Sequence, residues 1–159
     1  MQHTQAQIND SRFEHSQQYA IDVRDSLVSL VNNQLRGIDN NSGIRLRGQT
    51  VARIEDNLIG NSQGSAVDAS EVSGAILVNS RIGNTPEYAI SLRNAAPLPG
   101  PLTLSGNTLG KAGKAVVRVE GLQQVVLDAT QRPDRVVRVN QVAQTVAPSA
   151  LRCVQSASR

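Results

Sequence analysis

The chain has 159 residues, 16 Lys and Arg against 13 Asp and Glu, and only three aromatics, Phe13, Tyr19 and Tyr88. At roughly 100–200 residues per domain this is one domain, and its core must be narrow and aliphatic, because the aromatic side chains that fill wide cores at ~150–250 Å² each are almost absent. A charged fraction of 18% excludes a solvated disordered tail, and the lack of any run of 18 apolar residues excludes a membrane-spanning helix.

After a lead-in over residues 1–5, Ala6 and Ile8 alternate with polar residues, which puts their side chains on one face of a short strand. A bend at Asp10-Ser11, a single inward Phe13, a turn on which His15 falls, and a second alternating pair, Ile21/Val23, complete a unit. The same order recurs as Val28/Leu30, Leu35 and Ile44/Leu46, then as Ala52/Ile54, Ile59 and Val67/Ala69. It continues as Ala75/Leu77, Ile82 and Ile90/Leu92, and as Leu102/Leu104, Leu109 and Val117/Val119. The leading residues Ile8, Leu30, Ile54, Leu77 and Leu104 are 22, 24, 23 and 27 apart, the long interval holding the loop Ala95-Ala-Pro-Leu-Pro-Gly-Pro101. Val125/Leu127 begin a sixth unit, Asp128–Arg135 reads as a loop, Arg135–Val142 as one further strand, and Pro148 onward as a frayed or capping tail.

One such unit cannot bury its apolar face alone. Stacking units at the ~4.8 Å inter-strand spacing makes continuous parallel sheets around a shared core. The period near 23, without any helical stripe, therefore predicts an all-β parallel β-helix of about six to seven coils. Its hand should be right, as in ~98% of parallel strand–crossover–strand connections. Regular coils are expected over about 6–128, with 129–159 supplying the last strand and a cap or tail of a single domain. Met1–Gln5 is too short for a helix that would cover the first coil, so the solenoid is expected to continue upstream in a longer protein or to cover that end as a homo-oligomer.

The bends carry their own chemistry. Asp10, Asn32, Asp56, Asn79 and Gly106 are each followed by Ser11, Asn33, Asn57, Ser80 or Asn107. Asn, Asp and Gly accept left-handed backbone geometry, and stacked amides can hydrogen-bond from one coil to the next. An asparagine ladder through Asn33, Asn57 and Asn107 is expected. The string Leu102-Thr-Leu-Ser-Gly-Asn-Thr-Leu109 also fits a leucine-rich repeat, but the Leu needed three positions before the strand is replaced by His3, Asp25, Gln49, Val72 and Pro99. The β-helix is the preferred reading.

Units such as Ile54-Glu-Asp-Asn-Leu-Ile-Gly-Asn61 with Ala66-Val-Asp-Ala69 resemble the PbH1-type repeats of right-handed parallel β-helix proteins in the pectin-lyase-like superfamily. The resemblance spans about residues 6–128. It implies the fold and an extracellular or periplasmic setting. For function it implies either a polysaccharide lyase, hydrolase or epimerase, or an adhesin, tailspike segment or binding module. The superfamily's catalytic motifs do not carry over: Asn84-Thr85 and Asn107-Thr108 lack the Asp of Asn-Thr-Asp, Gly-His-Gly and Asp-Pro-His-Asp are absent, and Gln131-Arg-Pro-Asp-Arg135 departs from Arg-x-Pro-x-x-Arg.

Stacking lets the outward columns of the second strand be read directly as Asp22, Arg45, Asp68, Ser91, Arg118 and Arg24, Arg47, Ser70, Arg93, Glu120. The first reads as an alternating charge ladder, Asp22–Arg45–Asp68. Arg24, Arg45, Arg47, Arg93 and Arg118 also form a candidate basic strip, whose partner would be an acidic polysaccharide gripped through bidentate guanidinium contacts. Catalysis is not expected from this chain: Asp22 and Asp68 are two coils apart with Arg45 between them, and His3 and His15 stand alone. No column supplies the six to eight oxygens of a Ca²⁺ site, and Cys153 alone builds neither a disulfide nor a thiolate metal site, so no metal or cofactor is expected. Arg residues are dispersed and aromatic platforms are missing, which points away from nucleic acid. The leading function is a structural or acidic-glycan-binding module of a secreted or surface protein. The alternative is the non-catalytic remainder of a polysaccharide lyase, hydrolase or C5-epimerase.

Overall fold

The computed structural model describes residues 4–93, 102–120, 125–127 and 136–140. The first coil consists of β1 (Thr4–Asn9), β2 (Arg12–Ser16) and β3 (Ile21–Arg24), and the second of β4 (Ser26–Val31), β5 (Gln34–Ile38) and β6 (Ile44–Arg47). The third holds β7 (Val51–Glu55), β8 (Leu58–Ile59) and β9 (Val67–Ser70), and the fourth β10 (Gly74–Val78), β11 (Arg81–Ile82) and β12 (Tyr88–Arg93). The fifth is β13 (Leu102–Ser105), β14 (Thr108–Leu109) and β15 (Ala115–Glu120), followed by β16 (Val125–Leu127) and β17 (Val136–Asn140). All pairings are parallel and form three sheets: sheet 1 in the order β1-β4-β7-β10-β13-β16, sheet 2 as β2-β5-β8-β11-β14, and sheet 3 as β3-β6-β9-β12-β15-β17.

The register is the predicted one. Ile8, Leu30, Ile54, Leu77 and Leu104 stack in sheet 1, and Phe13, Leu35, Ile59, Ile82 and Leu109 in sheet 2. In sheet 3 Ile21, Ile44, Val67, Ile90 and Val117 stack beside Val23, Leu46, Ala69, Leu92 and Val119. These columns make one aliphatic core in which Leu30, Leu35, Ile44, Leu46 and Ile59 are fully enclosed, while Ile8, Phe13 and Val23 of the first coil are only partly covered.

The solenoid makes about five turns, fewer than the six to seven expected. The strand at Val136 pairs with β15 in sheet 3, so it closes the same turn that β16 opens instead of starting another. A second correction concerns His15, which lies within β2 and not on a turn. Sheet 2 strands run five residues in the first two coils and two in the next three. His15 (φ 54°) and Gly37 (φ 64°) take a left-handed step inside the longer strands, which keeps Ser16 paired with Ile38. His3, Cys153, the Pro-rich loop at 95–101, the loop at 128–135 and the tail from Pro148 lie outside the described residues.

The corner between sheets 1 and 2 follows the sequence closely. Asp10, Asn32, Asp56, Asn79 and Gly106 all have φ between 51° and 64°. Gly106 leaves room for the Asn79 side chain, since a Cβ there would lie 2.3 Å from Asn79 Oδ1. The next residue in each coil forms the ladder, with Asn33, Asn57, Ser80 and Asn107 buried. Asn33 accepts from the Ser11 N–H at 3.0 Å and donates to the Ile8 carbonyl at 2.7 Å. Asn57 accepts from the Asn33 N–H at 2.9 Å and donates to the Leu30 carbonyl at 2.8 Å. Asn107 does the same for the Ser80 N–H (2.9 Å) and the Leu77 carbonyl (2.8 Å). Each amide thus serves the two peptide groups that the corner of the preceding coil turns away from its own strands.

Candidate functional site

The two outward columns of sheet 3 form as read from the sequence: Asp22, Arg45, Asp68, Ser91 and Arg118 in one, Arg24, Arg47, Ser70, Arg93 and Glu120 in the other. Their charges pair differently. Arg47 reaches back one coil and across the strand to Asp22, with Nη2–Oδ2 at 2.8 Å and Nε–Oδ1 at 3.3 Å. Arg93 does the same to Asp68, its Nη2 lying 3.0 Å from both carboxylate oxygens. The diagonal approach brings both carboxylate oxygens within reach, through two guanidinium nitrogens of Arg47 and through Nη2 alone of Arg93. Arg45 instead lies over the Tyr19 ring, 4.5 Å from its centroid, with Nε 4.0 Å from Asp22.

The remaining strip residues pair locally. Arg118 folds onto Glu120 at 2.6 Å, and that hydrogen bond, aided by the Glu120 charge, holds the guanidinium pKa above its ordinary value despite partial burial. Arg24 contacts Asp25 at 3.2 Å, both well exposed. Tyr88 sits under Arg118 (5.3 Å) and Lys114 (5.7 Å), and Lys114 in turn bonds Glu87 at 2.7 Å, which raises the ammonium pKa. Five arginines on this face therefore meet four carboxylates, Asp22, Asp25, Asp68 and Glu120. Exposed pairs of this kind contribute ~0–1 kcal/mol each, so the face is closer to charge-balanced than to a basic strip.

A family model described as right handed beta helix region matches residues 1–127. The chain belongs to the right-handed β-helix family. No curated protein and no solved structure matches this β-helix.

Among the described residues of the β-helix, no three His, Cys, Asp or Glu side chains lie close enough to hold a metal ion. No helix among them is long and apolar enough to cross a membrane. His15 is exposed and packs against Gly37, whose added Cβ would lie 3.3 Å from the imidazole Nδ1. Sequence reasoning missed two tyrosines, Tyr19 just before β3 and Tyr88 at the start of β12. The signal was available: Tyr19 and Tyr88 both stand two positions before the first inward residue of the strand, Ile21 or Ile90, and Arg45 and Arg118 share one column a coil further on. The diagonal pairs were also readable as opposite charges 25 residues apart, one repeat plus two.

Proposed function

We propose that this β-helix is a non-catalytic structural module of a secreted or surface polysaccharide-associated protein, working in an extracellular or periplasmic setting. The observation that carries the reading is the internal pairing on sheet 3. Asp22 and Asp68 bind the guanidiniums of Arg47 and Arg93, and this face directs its charge onto itself. A second reading keeps an acidic glycan on the same face, along Arg24, Arg47 and Arg93 with Arg45 and Arg118 beside them. What favours it is the pair of tyrosine rings under Arg45 and Arg118, since rings of this kind offer an apolar face to a sugar.

Incubation with polygalacturonate and with alginate separates these readings. The structural reading expects no new reducing or unsaturated ends, and the same polymer retention for the wild type and for Arg24→Ala/Arg47→Ala/Arg93→Ala. Chain cleavage overturns it, and loss of retention at low salt in the triple variant alone establishes the glycan face on sheet 3.

A further inference from the structure

The outer face of sheet 1 differs from the other two. Sheet 2 turns Arg12, Glu14, Arg36 and Arg81 outward, and sheet 3 its columns of paired charges. On sheet 1 the outward columns are Gln5–Leu27–Val51–Gly74, Gln7–Ser29–Arg53–Ile76–Thr103 and Asn9–Val31–Glu55–Val78–Ser105. Leu27, Val51, Ile76 and Val78 adjoin one another across three strands. Val51 and Ile76, at 43% and 44% exposure, are the exposed large apolar side chains among the described residues. Scattered surface apolar groups need no explanation, but adjoining ones on a flat sheet mark a contact. The outward charges of these columns are Arg53 and Glu55, and Arg53 Nε donates to Glu55 Oε2 at 2.8 Å, so the face has no net charge with which to select a charged partner.

Gly74 indicates what meets this patch. It pairs with Val51, its φ is not left-handed, and a Cβ on it would meet only Val51 Cγ1, at 3.9 Å. Neither the backbone nor the packing of one chain calls for glycine there, and glycine weakens a strand unless something approaches its surface closely. The gap at Gly74 is a socket beside a knob, Val51. β7 and β10, which carry them, are the third and fourth of the six strands, so a two-fold axis running along the strands between them lies at the centre of the sheet. Rotation about it lays six strands of one copy over six of another with strand directions aligned. It sets Val51 of each copy over Gly74 of the other, and Ile76 over the aliphatic stem of Arg53. The face measures roughly 24 by 20 Å, from ~4.8 Å strand spacings and up to six residues at ~3.3 Å each. Two such faces bury about 1,000 Å², the lower bound for a specific interface, so the contact is weak and concentration-dependent.

We propose that sheet 1 is a self-association surface, through which two copies of this chain pack face to face as a two-fold dimer. The proposal is independent of the polysaccharide reading and of any cover over the first coil. Sedimentation equilibrium of the full chain from about 10 µM to about 1 mM tests it, since an interface of this size associates within that range. The mass of the wild type rises with concentration from that of the monomer toward twice that value. Ile76→Lys, at an exposed position, stays monomeric with an unchanged melting temperature at the lowest concentration. Gly74→Val places a better strand former in the socket, so association weakens about tenfold or more while the monomer is as stable as before or more so. Arg47→Ala on sheet 3 associates as wild type. A wild type that is monomeric throughout overturns the proposal, and if that monomer floats with phosphatidylcholine vesicles the patch belongs to a lipid surface instead. A dimer that survives both Ile76→Lys and Gly74→Val also overturns it, because the copies then meet through another surface.

Discussion

Two sets of side-chain hydrogen bonds link successive coils of this β-helix, one inside and one outside, and they do different jobs. At the corner between sheets 1 and 2, Asn33, Asn57 and Asn107 bond peptide groups of the coil before, in full burial. On sheet 3, Arg47 and Arg93 reach back to Asp22 and Asp68 in water, with about a third of each side chain of the Arg47 pair exposed. Inside, the alternative to each bond is a buried polar group without a partner. Outside, the alternative is hydration, which costs almost nothing. Equal bond counts therefore carry unequal energies, and the comparison can be broken or sharpened by substitution.

The largest effect is expected at the ladder. Asn57→Ala removes the partners of the Leu30 carbonyl and the Asn33 N–H together, and with each orphaned group costing about 1–3 kcal/mol the loss should be about 2–6 kcal/mol in urea unfolding. Ile82→Ala, which empties the neighbouring core column without touching the ladder, should cost about 2–5 kcal/mol and serves as the scale for an apolar loss. Gly106→Ala strains a left-handed residue and drives a Cβ into Asn79, for about 1–2 kcal/mol.

Thr85 gives the reverse case. Its hydroxyl is buried and has no hydrogen-bond partner among the described residues, so Thr85→Val should raise stability by up to about 1 kcal/mol, and a loss of stability would contradict this. Arg47→Ala stands at the small end. Its loss should stay below about 1 kcal/mol and shrink further in 1 M salt.

Much of this contrast was legible in the amino-acid order because it depends on backbone periodicity. Alternation at Ala6/Ile8 and its repeats placed the inward columns, and Asp10-Ser11, Asn32-Asn33 and Asp56-Asn57 marked the bends where only a few residue types tolerate positive φ. The ion pairs of sheet 3 were not legible to the same degree. A column assigns neighbours, but a long arginine chooses among partners by rotamer, and Arg47 and Arg93 chose the diagonal. The turn count failed for a different reason: alternation at Val136 announces a strand without saying which sheet receives it.

Backbone amide hydrogen exchange in the Asn57→Ala and Arg47→Ala proteins tests the central claim most directly, since the ladder holds named N–H groups. In Asn57→Ala the Asn33 amide should exchange far faster than the sheet 3 amides of Ile44 and Leu46, because its acceptor is gone while the strand bonds remain. In Arg47→Ala the protection of all of these amides should match the wild type. An Asn33 amide still fully protected in Asn57→Ala, or protection lost across sheet 3 in Arg47→Ala, would contradict the account.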